Sequence, residues 1–168
     1  ASTRKIYELG IESIPSESEC YPAKLAHGHI EWLIGQHVDF IFYPALFYER
    51  NEFQDANNHY NCPIVTSYSE NIKNNVETIG RGEVVFKNPF MSFTSPELIA
   101  QSLIKEFPDI DASEITDAVN AGWKELEAVR QDMYHKGEEV IQYIEKNHSR
   151  AIVLAGRPYH IDPEINHG

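Results

Sequence analysis

Only two of the 168 residues are cysteine, Cys20 and Cys62. Two thiols do not staple a secreted scaffold, and no signal-peptide pattern opens the chain. The expectation is a reducing, cytoplasmic setting. Positive charge is also scarce. Fourteen Lys and Arg stand against 26 Asp and Glu, a formal net charge of -12. Nucleic-acid surfaces need clustered Lys and Arg, so nucleic acid is not expected as a partner. No apolar run approaches the length of a membrane span, so no membrane partner is expected either. Neither GxGxxG nor GxxxxGK[ST] occurs, which removes any nucleotide site legible in the sequence.

What is present suits a globular domain: 42% hydrophobic and 24% charged residues. A short helix is expected over 3–9, capped by Thr3 and stopped by Gly10. Pro22 opens a second helix running to about 36. The run "VDFIFYPA" reads as a strand over 38–44, buried on both faces and hence parallel. Residues 49–61 are polar and read as a loop. "CPIVTSY", 62–68, reads as another buried strand, followed by a helix near 69–78. "EVVFKNPF", 83–90, reads as an edge strand. Ser95 and Pro96 start a further helix. Asp111 and Glu114 form a capping box for a long helical stretch to about 147, which either breaks near Gly137 or bridges two domains. "AIVLAG", 151–156, reads as the last strand. Strands alternating with helices indicate a parallel α/β sheet of doubly wound type. The chain starts without Met and ends on Asp162-Pro163, the cap and first residue of a new helix. An excised piece of a longer protein is expected.

Ligand sites in such sheets lie beyond the carboxyl ends of strands. Pro44-Ala45, Ser67-Tyr68 and the stretch from Gly156 to His160 are expected there. Cys20 stands at a helix entrance, where backbone N–H groups favour thiolate. It is a metal ligand, a reactive thiol or a small buried plug. Zinc held by Cys20, His27 and His29 fails on geometry, because residues two apart on a helix diverge by roughly 200°. His29 is expected buried and hydrogen-bonded, and His27 half-exposed. A Cys20–His pair has four candidate bases, His27, His29, His59 and His160, and spacing does not choose among them. Arg157, after Gly156, is either an anion-holding residue or an ordinary surface charge.

Four stretches carry a family resemblance: "PSESECYPAKLAHGHIEWL", "VDFIFYP", "NHYNCPIVTSYSENIKNN" and "GRPYHIDPEINHG". Together they resemble the large CoA-substrate-specific enzyme activases, activators of (R)-2-hydroxyglutaryl-CoA dehydratase. In that family, ATPase modules precede a region similar to 2-hydroxyacyl-CoA dehydratase subunits. The resemblance implies a Rossmann-like parallel sheet with flanking helices, part of a two-lobed architecture. It implies a dehydratase-like lobe over 1–110 lacking its first strand and helix, a linking stretch over 111–148, and the start of the next lobe over 149–168. It implies a non-ATPase role, electron transfer or contacts within the larger protein, with an interaction module that has lost its cluster as the alternative. The expected partners are other domains of the same protein and a dehydratase. The family pattern holds a [4Fe–4S] cluster on cysteines from separate loops. Cys20 and Cys62 match two such positions, and Ala45 stands where a third is expected. Two thiolates fall short of the customary three or four, so no cluster is expected in this stretch alone.

Overall fold

The computed structural model describes residues 4–166. The elements run in the order α1 (Arg4–Gly10), α2 (Tyr21–Gly35), β1 (Phe40–Phe42), β2 (Ala45–Glu49), α3 (Pro63–Asn75), α4 (Glu77–Gly80), β3 (Val85–Lys87), β4 (Phe90–Phe93), α5 (Pro96–Glu106), α6 (Ala112–Lys146) and α7 (Pro163–Asn166). Thr3, the expected cap of the first helix, lies outside the described residues. The chain is α/β: β1 pairs with β3, and β2 with β4, both parallel.

The two pairs form one ribbon interrupted by proline. Phe42 faces Lys87 before the gap and Ala45 faces Phe90 after it, so the register carries across. Pro44 and Pro89 fall opposite one another in that gap. Proline has no N–H to give a ladder, which splits each strand there. Bonds flanking the prolines persist: Tyr43 N–H donates to Lys87 C=O at 2.8 Å, and Ala45 N–H to Pro89 C=O at 2.9 Å. The expected single strand over 83–90 is therefore two segments.

Ile41, 4% exposed, faces a core built from Ile30 of α2, Ile72 of α3, Val76 between α3 and α4, and Ile79 of α4. The other face turns Phe42 and Phe40 toward the Phe107 ring, at centroid distances of 5.4 and 6.3 Å. Phe40 is still 50% exposed. Full burial of both faces of 38–44 is thus corrected. Helix α5 lies over β4, and Phe107, the residue following it, reaches Phe40 and Phe42 of β1.

Two expected strands are absent. Residues 62–68 enter α3 instead, with Cys62 as N-cap and Pro63 in the first turn. Ile64, Val65 and Thr66 suggest a strand by propensity, but burial of Ser69, Ile72 and Val76 at helical spacing wins. Residues 151–155 form neither helix nor ladder, and Ile152, Val153 and Leu154 are 98%, 88% and 66% exposed. A strand needs a neighbour, and none of the described residues supplies one.

Helix α6 runs unbroken through Gly137 for 35 residues, about 52 Å. The Asp111 carboxylate accepts from Ser113 N–H at 2.8 Å to cap it. Its first half is held down. Trp123 meets Phe93, ring centroids 5.6 Å apart. Arg50 binds Glu127 at 3.1 Å, and Arg130 binds Glu52 at 2.6 Å, which ties the 50–61 loop to the helix. Every residue over 131–143 is exposed.

Helix α1 crosses α2 at Gly10 and Gly28, where a β-carbon on either would strike the other helix's backbone. This contact gives α2 a second buried face and reverses the expected histidines. His27 is 2% exposed, while His29 is only half-buried. Ser13 O–H donates to Gly10 C=O at 3.1 Å, so its oxygen accepts from His27 Nδ1–H at 3.0 Å. Burial holds the His27 imidazole below its ordinary pKa. The unfolded chain then takes a proton near pH 6.5 that the folded chain refuses. The stability that neutral His27 contributes is full above that pH and is lost as pH falls toward the lowered folded value. His27→Asn, which keeps a donor near Nδ1, should flatten the pH dependence of urea denaturation between about pH 7 and 5. An unchanged slope in the variant would contradict this assignment.

Candidate functional site

Both cysteines occupy the same local position. Cys20 is the N-cap of α2 and Cys62 the N-cap of α3, each extended, with φ near -67° and -62°, and each followed by proline in the first turn. Cys62 Sγ accepts from Val65 N–H at 3.4 Å, closing its own helix end. Cys20 Sγ makes no cap bond and lies 3.7 Å from the Tyr68 hydroxyl on α3.

Tyr68 is the centre of the group. Burial pushes its hydroxyl well above the ordinary range, and the Cys20 hydrogen bond and the charges of Cys20, Cys62 and Tyr43 push it further. Burial likewise raises the Tyr43 hydroxyl. Both phenols therefore stay protonated at neutral pH. Beside Cys20, Glu19 accepts from the Asn71 side-chain amide at 3.4 Å. The other Glu19 oxygen and the Ser69 hydroxyl are buried without a protein partner.

The expected site residues divide. Cys20 lies against the Tyr68 hydroxyl, and Cys62 caps the helix that carries Tyr68, six residues before it. Ala45, 0% exposed, opens β2 within the ribbon. The expected carboxyl-end grouping does not form, because Ser67-Tyr68 lies inside α3 and Pro44-Ala45 in mid-ribbon. Of the candidate bases, His27 is bonded to Ser13, His59 packs on Tyr48 and His160 on Tyr159, so these three are engaged away from Cys20. Arg157 precedes a 3-10 turn and is exposed. Tyr68 is expected at the ligand edge as a strand end and stands on a helix instead, while Tyr43 is not singled out by the sequence. The signal for the helix is the Cys62-Pro63 start, similar to Cys20-Tyr-Pro22, which puts Tyr68 within two turns of Cys62.

A family described as "CoA enzyme activase uncharacterised domain" matches residues 1–168. The chain belongs to this family. No curated protein and no solved structure matches it. Cys20 and Cys62 alone do not complete the ligand set of the cluster suggested by the dehydratase resemblance. Two thiols fall short of the customary three or four, and Ala45 has no donor. Among the described residues no group of three His, Cys, Asp or Glu can hold a metal. No described helix is long and apolar enough to cross a membrane.

The cap assignment has a direct test. Cys62→Ser keeps an acceptor for Val65 N–H and should be close to neutral. Cys62→Ala should cost about 1 kcal/mol in urea denaturation, the usual loss of an N-cap acceptor. Equal stability of the two variants would remove the capping role.

Proposed function

We propose that the chain is a dehydratase-like, Rossmann-like domain of a CoA enzyme activase that serves contacts within the larger enzyme and hydrolyses no ATP itself. One observation carries this reading. The second half of α6 presents Met133, Tyr134, Val140, Ile141 and Tyr143 at 65%, 56%, 49%, 50% and 65% exposure. Contiguous exposed apolar surface of this kind marks an interaction site. The partners in this reading are the ATPase modules and the dehydratase that the family activates. The test is Met133→Asp with Tyr143→Asp in the complete activase. Dehydratase activation should fall at least tenfold while the variant activase retains ATP hydrolysis measured without dehydratase. Full activation by the variant would overturn the reading.

A second reading, assistance to electron transfer, is favoured by Cys20 and Cys62 taking the same N-cap position on two packed helices, with Cys20 3.7 Å from the Tyr68 hydroxyl on the helix that Cys62 caps. In this reading the two thiols are part of a [4Fe–4S] ligand set completed from elsewhere. Iron and sulfide analysis of Cys20→Ser and Cys62→Ser in the complete activase, purified without oxygen, separates the readings. Loss of iron supports electron transfer, and unchanged iron supports the contact role.

A further inference from the structure

The parallel ribbon has an open side at β1. Among the described residues β1 pairs only with β3. Tyr43 N–H points toward β3, where it meets Lys87 C=O. Backbone groups alternate along a strand, so those of Phe40 and Phe42 face away, along the free edge. A cavity of about 380 Å³ runs along this edge. Three consecutive residues, Ile41, Phe42 and Tyr43, line it, as a groove following a backbone must be lined. Its roof is the overhanging face of α2, including Leu25, His29 and Leu33. The groove therefore offers unpaired backbone groups under an aliphatic roof, the requirement of strand addition.

The same chain holds a segment of the matching chemistry. Residues 151–155 belong to no helix and pair with no strand among the described residues, and Ile152, Val153 and Leu154 are exposed, the first two almost wholly. In a strand, Ile152 and Leu154 share one face and Val153 takes the other. A strand apolar on both faces suits a sheet position covered on both sides, which the groove under α2 approaches. The chain's own 151–155 does not line that groove. Its continuation returns to α1 and α2 on another side, where Glu164 lies 3.9 Å from Arg4.

We propose that residues 151–155 of a second copy add as a strand to the free edge of β1, reciprocally, giving a two-fold strand-exchanged dimer. Ile152 and Leu154 enter the groove beneath α2, and Val153 lies on the Phe107 side. The exchange is isologous, because each copy carries both the edge and the strand. It stands on different residues from the α6 contact surface, so either idea can fail alone.

The experiment is analytical ultracentrifugation of the 168-residue chain, paired with hydrogen exchange resolved at Phe40 and Phe42. A dimer is expected, with both amides protected at high concentration and exchanging faster on dilution. Ile152→Asp with Leu154→Asp should weaken dimerisation at least 100-fold and release both amides. Met133→Asp, on α6, should leave the dimer intact. A monomer at every concentration overturns the proposal. If its Phe40 and Phe42 amides are protected, the occupant is the chain's own strand; if they exchange freely, the edge is empty. A dimer that survives the double variant, or one lost in Met133→Asp, assigns the interface elsewhere and also overturns it.

Discussion

Ile72→Ala should lower the stability of the chain by about 4 kcal/mol, within the range for deleting a buried branched side chain. Ile72 is 0% exposed and sits where α3 meets Ile30 of α2 and Ile41 of β1. Its removal loses apolar burial and leaves a cavity between two helices and a short ribbon. The ribbon's strands are only three to five residues long, and proline splits each pair, so little ladder is available to compensate. Domains of this size have total stabilities of roughly 5–15 kcal/mol, so the variant loses a large fraction of its margin. Urea titration with an unchanged slope is the measurement. A loss below about 1 kcal/mol would mean that Ile72 is not in a packed core.

Gly28→Ala should cost about 3 kcal/mol, at the high end for overpacking, because the obstacle is backbone. A methyl at Gly28 would fall on the Ile6 carbonyl, and one at Gly10 on the Gly28 and His27 backbone. Neither helix can yield without separating. Separation would also expose His27 and break its bond to Ser13. The variant should therefore become sensitive to trypsin at Arg4 and Lys5, on α1, before the rest of the chain. Stability within about 0.5 kcal/mol of wild type would show that α1 is not seated on α2 as described.

The sequence was most legible where start signals and periodicity agreed. Pro22 and the Ser95-Pro96 pair marked α2 and α5, and the 115–144 spacing marked the long α6. It misled where local propensity and tertiary packing differ. Ile64-Val65-Thr66 is strand-like in composition, yet a cysteine cap and Pro63 make it a first helical turn. The Ile152–Leu154 run has strand chemistry, but a ladder depends on a neighbour that a local pattern does not contain. His27 and His29 were exchanged because the burial of α2 against α1 depends on the Gly10–Gly28 crossing, a tertiary contact. The two thiols were visible at once. Tyr68 was expected near them at a strand end, but its approach to Cys20 follows from α3 being a helix.

Hydroxyl-radical footprinting tests the contact role most directly. Met133, Tyr134 and Tyr143 are reactive and more than half exposed in this chain. They should label strongly in the isolated 168-residue chain and become protected in the complete activase, while buried Met91 stays unlabelled in both. Equal labelling of the three residues in chain and complete enzyme would contradict a contact role for α6.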